Sequence, residues 1–328
     1  KMSTYINAIS SISFQDFLEI DSILNLKKIT TDSELIQPNY KQWIKPMQLR
    51  RMSKIVRMGL GCSKDIIKKT GVENFDAIIV GTGLGCIKDT VKFMDTINAV
   101  STSSIPPTAF IQSTHNTMAG QIALQLLNNN YNMTYVQNGI SFEHALLDGH
   151  IKIMEGQNNI LVGALDEMVD YLQALATLAN IKNPSTYTEG SAFFNLVKEK
   201  DEKTFAELSK TMTFTCCKDF SLEKTINNFL KSEGITFQEI NLTFNTSPKF
   251  VKEDKHTVKT TNQIFFEDYC GKYFTSTGFG MYLASLCFKE EVLNINSVFN
   301  TTIKELKYSL IINNYMDKVV GLTLLKRA

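Results

Sequence analysis

Ser141 is the first residue whose neighbours suggest chemistry, because His144 follows it by three positions in the segment NGISFEH (138–144). Residues three apart on a helix are neighbours, so a serine hydroxyl and an imidazole placed in this way can share a hydrogen bond. With His144 or His115 as its base, Ser141 would be the nucleophile of a divergent acyltransferase or hydrolase. In serine triads, however, the base normally comes from another part of the fold. Serine is also a preferred N-cap residue, and this structural role is the favoured interpretation of Ser141.

Three glycines, Gly81, Gly83 and Gly85, follow an apolar run at 76–80. Their spacing is G-x-G-x-G and not the G-x-G-x-x-G of dinucleotide-binding proteins, and no acidic residue closes a following strand where a ribose would need it. The pattern favours a tight turn between a strand and a helix over a nucleotide site.

The cysteines and histidines show none of the spacings that are typical of metal sites, such as Cys-x-x-Cys or His-Glu-x-x-His. His144 and His150 are six apart and would lie on different faces of a helix. Cys216 and Cys217 are adjacent and cannot easily form a normal disulfide. We therefore expect free, mostly buried thiols in a reducing cytoplasm, and neither a metal nor another cofactor. The six cysteines are Cys62, Cys86, Cys216, Cys217, Cys270 and Cys287.

Apolar periodicity alternates between strand-like and helix-like segments, which indicates an α/β protein. The pattern predicts strands at 4–12, 76–80, 133–137, 159–164, 191–197, 239–244, 309–313 and 319–325, and helices over 47–70, 114–127, 141–155, 222–232 and 277–288. Because the two parts of the chain share this pattern, we expect two related α/β halves, residues 1–200 and 215–328.

Composition excludes several classes of partner. The 328 residues carry 34 basic and 33 acidic side chains, a net charge of +1, whereas a nucleic-acid-binding protein would show a basic excess. No segment approaches the ~18 uninterrupted apolar residues that span a bilayer, and the amino terminus lacks the pattern of a secretory signal. The expectation is a cytoplasmic protein without a nucleic-acid or membrane partner.

Several stretches resemble the beta-ketoacyl-ACP synthases of the thiolase fold, in the same order along the chain. RRMSKIVRMGLGCSKDII (50–67) is similar to the family's Arg-Arg-Met helix, and DAIIVGTGLGC (76–86) to its second strand and glycine turn. Residues 119–168 resemble the central block, in which a strand delivers the nucleophile to the start of a buried helix. TEGSAFF (188–194) resembles the family's Gly-Glu-Gly-Ala-Gly strand. The resemblance implies a thiolase-like αβαβα fold of two pseudo-symmetric halves.

Catalysis in this family needs a thiolate and two histidines. The family's cysteine position matches Gly139, and its two histidine positions match Thr243 and Thr277. The Gly-Phe-Gly-Gly loop that gates the family's pocket matches residues 314–317, which contain no glycine. Since four separate positions have changed together, the resemblance implies that condensation chemistry is absent and that no residue of the family's triad is catalytic here.

A ketosynthase fold without its cysteine resembles the chain-length factors, the inactive halves of ketosynthase heterodimers. The resemblance implies a catalytic ketosynthase as partner, bound through the strand at 133–137, and an acyl carrier protein that reaches this subunit through the complex. The chain would shape the partner's acyl tunnel, and its tunnel or interface candidates are Phe110, His115, Met118 and Gln137. Gln137 lies two residues before the position at which chain-length factors carry their glutamine.

The trimmed chain, rich in Lys, Asn and Ile, further suggests the aryl-polyene or flexirubin pathways within fatty-acid- and polyketide-type biosynthesis. Two alternatives stay open. One is the independent enzyme that uses Ser141, and the other is a homodimeric acyl-binding scaffold.

Overall fold

The structure is a computed structural model that describes residues 3–16, 22–30, 32–50, 52–99, 107–170, 174, 187–247 and 262–328. In these ranges the strands are β1 Thr4–Ile12, β2 Ala77–Gly81, β3 Tyr131–Tyr135, β4 Ile160–Asp166, β5 Gly190–Val197, β6 Ala206–Thr215, β7 Leu242–Asn245, β8 Gln263–Phe265, β9 Tyr308–Tyr315 and β10 Val319–Lys326. The helices are α1 Pro46–Leu49, α2 Lys54–Thr70, α3 Ile87–Ala99, α4 Pro107–Ser113, α5 Thr117–Gln125, α6 Ser141–Met154, α7 Leu222–Lys231, α8 Glu267–Cys270, α9 Thr277–Cys287 and α10 Val292–Phe299.

The strands form one sheet in the order β3-β2-β4-β5-β1-β6-β10-β9-β7-β8, and its two ends mirror each other. In the first half β3, β2 and β4 are parallel and β5 and β1 antiparallel. In the second half β8, β7 and β9 are parallel, and β10 and β6 antiparallel. The halves meet where Thr4, Tyr5 and Ile6 pair with Leu208, Glu207 and Ala206. This repeat confirms the predicted pseudo-symmetry.

Helices cover both faces of the sheet and fill the space between its halves. The apolar faces of α2 and α5 pack against β1, β2 and β4, while α7 packs against β9 and β10. Between the halves lie α6 and α9, and every residue of α9 is buried. The five layers are those of the predicted αβαβα fold. β2 is buried on both faces, which explains its apolar run: Ile78 and Val80 face α2, and Ala77 and Ile79 face α6.

Some predicted elements are shifted or divided. The helix expected over 47–70 is two helices, α1 and α2, and the one expected over 114–127 begins only at Thr117, after α4. The strand expected at 133–137 lies two residues earlier, because residues 138–140 form a short 3₁₀ turn before α6. β6 lies almost entirely between the two predicted halves, where the sequence pattern predicts no strand.

Candidate functional site

Gly139 lies in the short turn that joins β3 to α6, so the structure places it at a strand-to-helix junction, as the resemblance implies. Gly139 is buried, and the preceding residue, Asn138, has a left-handed φ of 53°. The end of β2 approaches this junction closely: a Cβ atom on Gly81 would lie 2.5 Å from the main-chain oxygen of Ser141. A residue with a side chain would therefore not fit at position 81 without a backbone shift.

The space above Gly139 is filled by an aromatic ring. A Cβ atom built on Gly139 would overlap three ring carbons of Tyr315, and one built on Gly83 would overlap the side chain of Phe274. The rings of Phe274 and Tyr315 are in tilted contact, with their centroids 6.3 Å apart. These two aromatic side chains, which we call the plug, leave no room for a larger residue at position 139.

The plug is held by the turn between β9 and β10. Lys318 N donates to Tyr315 O at 3.1 Å, which closes a two-residue turn. Both central residues, Met316 and Asp317, have a φ of 55°, as in a type I′ turn. The loop that the resemblance aligns with the family's glycine-rich gate is thus a tight hairpin turn made without glycine.

One side-chain amide joins two of the three positions that correspond to the family's triad. Asn313 Nδ2 lies 2.6 Å from Gly139 O, 2.8 Å from Glu143 Oε1 and 3.5 Å from Thr277 Oγ1. Thr277 begins α9, between the two halves of the sheet. The third position, Thr243, is buried in β7, and its hydroxyl donates to Asn262 O at 3.4 Å. The three positions offer two hydroxyls and a glycine, with neither a thiolate nor an imidazole.

Burial makes the carboxyl groups near the site hard to ionise. Desolvation raises the pKa of Glu143 to about 7, against which the hydrogen bond from Asn313 acts only in part. The other carboxylate oxygen of Glu143, Oε2, has no partner among the described residues. Desolvation also raises the pKa of Asp166 to about 6. These carboxyls therefore take a proton near neutral pH.

Asp166 links the glycine turn after β2 to the segment before α9. Its Oδ1 accepts from Gly83 N at 2.7 Å and from Thr82 Oγ1 at 3.1 Å. Its Oδ2 accepts from the main-chain nitrogen and the hydroxyl of Thr275, at 2.8 and 2.7 Å. This one carboxylate thus joins the first half of the chain to the second, close to the plug.

The hydroxyl of Ser141 lies inside the turn between β3 and α6, away from both histidines that the sequence offers as its base. The N-cap of α6 is Ile140, so the predicted N-cap role of Ser141 is wrong. Its buried hydroxyl accepts from Gln137 N at 2.7 Å and donates to Asn138 O at 2.8 Å, which fixes the turn between β3 and α6. The Nε2 of His144 instead contacts Thr213 Oγ1 at 3.2 Å, and the ring of His115 lies against Gly85. Neither histidine is hydrogen-bonded to Ser141 in this structure.

The tunnel candidates lie in different environments. Phe110 is 57% exposed on α4, where its ring contacts that of Phe93 with centroids 5.7 Å apart. His115 and Gln137 are also exposed, whereas Met118 is only 1% exposed in the core between α2 and α5. The structure thus places Phe110, His115 and Gln137 at the surface and Met118 in the core.

The six cysteines are free, and Cys62, Cys86, Cys270 and Cys287 are buried. Desolvation raises the pKa of Cys62 to about 12, so this thiol stays protonated. The described residues contain no group of three or more His, Cys, Asp or Glu side chains placed to hold a metal ion. In the same part of the chain no helix combines the length and the apolar character that crossing a membrane requires.

The sequence reading missed the residues that fill and brace the site. Tyr315 belongs to the segment that matches the family's gate, and Phe274 to the segment that matches its second histidine motif. The match indicates where these residues lie in the chain but not the direction of their side chains. Asn313, immediately before the gate segment, carries no motif of its own. Glu143 belongs to no motif of the sequence, and its burial depends on the fold.

Comparisons with known proteins agree with this geometry. Residues 27–186 match the family model described as "Beta-ketoacyl synthase, N-terminal domain". No curated protein matches the chain. Two solved structures cover nearly all of it. One is titled "The ishigamide ketosynthase/chain length factor", with 14% identity, a TM-score of 0.75 and 99% of both chains covered. In the other, a type II polyketide synthase carrier protein is in complex with its ketosynthase, AntDE:AntF, with 16% identity, a TM-score of 0.76 and 100% of both chains covered.

A third structure is a ketosynthase, ApeO, in complex with its chain length factor, ApeC, from Xenorhabdus doucetiae. It is 16% identical, with a TM-score of 0.51, and the match covers 66% of this chain and 85% of that chain. At these identities the likeness shows the fold. The chain therefore has the ketosynthase fold, and its residues 27–186 match the model of the beta-ketoacyl synthase N-terminal domain.

Proposed function

We propose that this chain is a non-catalytic ketosynthase-like subunit that binds a cysteine-bearing beta-ketoacyl synthase and helps to shape the partner's acyl tunnel. The observation that carries the proposal is the position of the Tyr315 ring, in the space that a side chain at Gly139 would need. A chain with neither a nucleophile nor the room for one contributes to condensation only by supporting another subunit.

The edge of the sheet offers the partner a place to bind. β3 is the last strand on its side of the sheet, and its main-chain groups are divided between two directions. Thr82 N donates to Tyr135 O at 3.0 Å, so the main-chain groups of Tyr135, and of Met133 two residues before it, point towards β2. The main-chain N–H and C=O groups of Asn132 and Thr134 then point away from the sheet, where they can pair with another strand.

Apolar side chains surround this free edge on both faces of the sheet. Leu124 and Leu127, at the end of α5, are 63% and 87% exposed. On the other face Ile151 and Met154 of α6 are 43% and 36% exposed, and Met133 of β3 itself is 40% exposed. An open strand edge within an apolar surface is typical of a protein–protein interface. The titles of two structural neighbours name ketosynthase–chain length factor pairs, which supports a ketosynthase as the partner.

Phe110, His115, Met118 and Gln137 remain our candidates for the tunnel or interface. The substrate class that we propose is a fatty-acid- or polyketide-type acyl chain, with an aryl-polyene or flexirubin pathway as the narrower form of the proposal. The carrier protein would deliver this chain to the catalytic partner. Truncation of the exposed Phe110 to Ala should lengthen the product of the pair, and the same applies to Met118→Ala. Unchanged product length in both variants would remove these residues from the tunnel wall.

The decisive experiment is co-expression with a cysteine-bearing ketosynthase encoded beside this gene, followed by native mass spectrometry. We expect a one-to-one complex. Asn132→Pro removes an outward N–H while leaving the bonds between β3 and β2, so it should weaken the complex without unfolding the chain. Leu293→Ala, at a 76% exposed site away from this edge, is the control and should leave the complex intact. An acyl adduct on Ser141 or on any cysteine of this chain, formed from an acyl thioester, would contradict the proposal.

A second candidate, a homodimeric scaffold, is favoured by the sequence of β3, Tyr-Asn-Met-Thr-Tyr. Antiparallel pairing of two copies about Met133 would place Tyr131 opposite Tyr135 and Asn132 opposite Thr134. Aromatic side chains would then meet aromatic ones and polar side chains polar ones. The outward main-chain groups of Asn132 and Thr134 would hydrogen-bond to each other across the two strands. Native mass of the chain expressed alone tests this alternative, and a homodimer that persists when the ketosynthase is added would favour the scaffold.

A further inference from the structure

A cavity of about 140 Å³ opens between the first turn of α2 and one side of α5. Carboxamide side chains of Gln48, Gln112, Gln121 and Gln125 line it, together with the apolar side chains of Met52 and Val56. These glutamines come from α1, α4 and α5, so three helices direct the same functional group towards one space. The cavity is separate from the plug and from the edge strand.

The glutamines on α5 belong to a polar stripe. Thr117, Gln121 and Gln125 are four residues apart and so lie on one side of the helix, beside the apolar contact that Ile122 makes near Gly59 of α2. A helix side that faces a neighbouring helix is normally apolar. Gln121 and Gln125 are half-buried here, so their carboxamides are open to a polar partner that enters from solvent.

The protein itself supplies a partner to the hydroxyl of Thr117 but not to three of the carboxamides. Thr117 Oγ1 donates to Ile111 O at 2.7 Å. Among the described residues, none is hydrogen-bonded to the carboxamides of Gln48, Gln121 and Gln125. Each of these groups can both donate and accept.

Among the described residues that line the cavity none carries a charge, so these residues complement a neutral ligand. Its carboxamides complement a group that presents a carbonyl oxygen and an N–H side by side, and Met52 and Val56 complement methylene groups. An engineered cavity of about 150 Å³ in another protein accommodates benzene, so the volume here suits one six-membered ring. We infer that this cavity is a binding site for a small neutral molecule with a cyclic amide edge, a lactam-like ring.

The test uses the full chain with ¹⁵N-labelled glutamine side chains and δ-valerolactam as the probe. We expect saturable shifts of the side-chain NH₂ signals of Gln121 and Gln125. N-methyl-δ-valerolactam, which has no N–H, and cyclohexanone, which has the same ring with only an acceptor, should each bind at least about tenfold more weakly.

Gln121→Leu and, separately, Gln125→Leu should reduce lactam binding by a similar factor. Gln238→Leu, at an exposed position outside the cavity, is the matched control and should bind as the native chain does. The inference fails if no saturable shift appears, if cyclohexanone binds as well as the lactam, or if both cavity variants retain native affinity while remaining folded. None of these results depends on the proposed ketosynthase partner, so this inference and the proposed function fail separately.

Discussion

The ring of Tyr315 lies where a side chain on residue 139 would have to be, so Gly139 and Tyr315 are sterically coupled. The glycine at position 139 and the placement of the Tyr315 ring by the turn after β9 are therefore one structural fact. Restoring a thiol at position 139 requires that the ring moves, and the ring is fixed by a tight turn between two long strands.

Gly139→Cys should destabilise the chain by about 1–3 kcal/mol, because inserting side-chain atoms into a filled interior strains the packing. Adding Tyr315→Ala should recover part of this loss, since it removes the overlapping ring. Urea denaturation measures both free energies of unfolding.

The matched control is Gly120→Ala in α5, where a Cβ atom meets nothing within 4 Å. Alanine is a better helix former than glycine, so this variant should be stabilised by up to about 1 kcal/mol. If Gly139→Cys is as stable as the native chain, Tyr315 does not fill the position as described.

The turn that carries the plug contains backbone strain. Met316 has a left-handed φ of 55° and a side chain that is 57% exposed, so its conformation costs free energy that packing recovers only in part. Met316→Asn should stabilise the chain by about 0.5–1 kcal/mol, because asparagine tolerates this region better. Met94→Asn, on a helix and 49% exposed, should not stabilise it. Thermal unfolding of the two variants distinguishes the turn effect from a general effect of replacing an exposed methionine.

The buried carboxyl of Glu143 predicts a pH dependence. Its pKa is raised from 4.5 to about 7, so the folded chain retains a proton that the unfolded chain has lost. Stability should therefore fall as the pH rises from about 4.5 to about 7, by at most about 3 kcal/mol for this group. Below that window Glu143→Gln and the native chain should be equally stable.

At pH 8 the Glu143→Gln variant should be the more stable of the two, because glutamine is neutral at every pH. Above that pH the two curves of unfolding free energy should run parallel, which serves as an internal control. Native and variant curves that coincide from pH 4 to pH 8 would show that Glu143 is not desolvated in the folded chain.

Thiol labelling should separate the cysteines by burial. Cys217 is exposed, and we expect an aromatic disulfide reagent to label it within the time of mixing. Desolvation holds the pKa of the thiols of Cys62, Cys86, Cys270 and Cys287 far above its usual range, so these four should react only on unfolding. Peptide mapping identifies the modified residues, and Cys217→Ser should abolish the fast phase. Fast labelling at Cys62 would contradict the packing of β1 against α2.

Much of the fold could be predicted because its elements have strong local patterns. β2 is apolar throughout since both of its faces are buried, and α6 was predicted to within one residue of its end. β6 was missed because its sequence, AELSKTMTFT, alternates and is only partly buried. A local pattern of that kind does not show that a distant strand, β10, will pair with it.

The resemblance indicates which segments form the site but not which side chains fill it. Gly139, Thr277 and the gate segment, which the resemblance aligns with the family's site, lie in one region of the structure, where Asn313 contacts the first two. The direction of the Tyr315 ring, however, depends on a left-handed turn at Met316 and Asp317. This turn contains no glycine, which is the usual sequence signal for such a conformation. Side-chain packing of this kind is set by long-range contacts that the local sequence does not encode.

Asp166 also has a consequence for how the gene could be divided. Its carboxylate lies at the end of β4 but takes two of its four hydrogen bonds from Thr275, more than one hundred residues later. A fragment that ended near residue 200 would leave the Oδ2 atom of Asp166 without its partners in Thr275. It would also expose the inner faces of α6 and β1. The two halves repeat one topology, yet neither buries its inner surface alone, so we expect that splitting the gene between them would require both pieces to fold together.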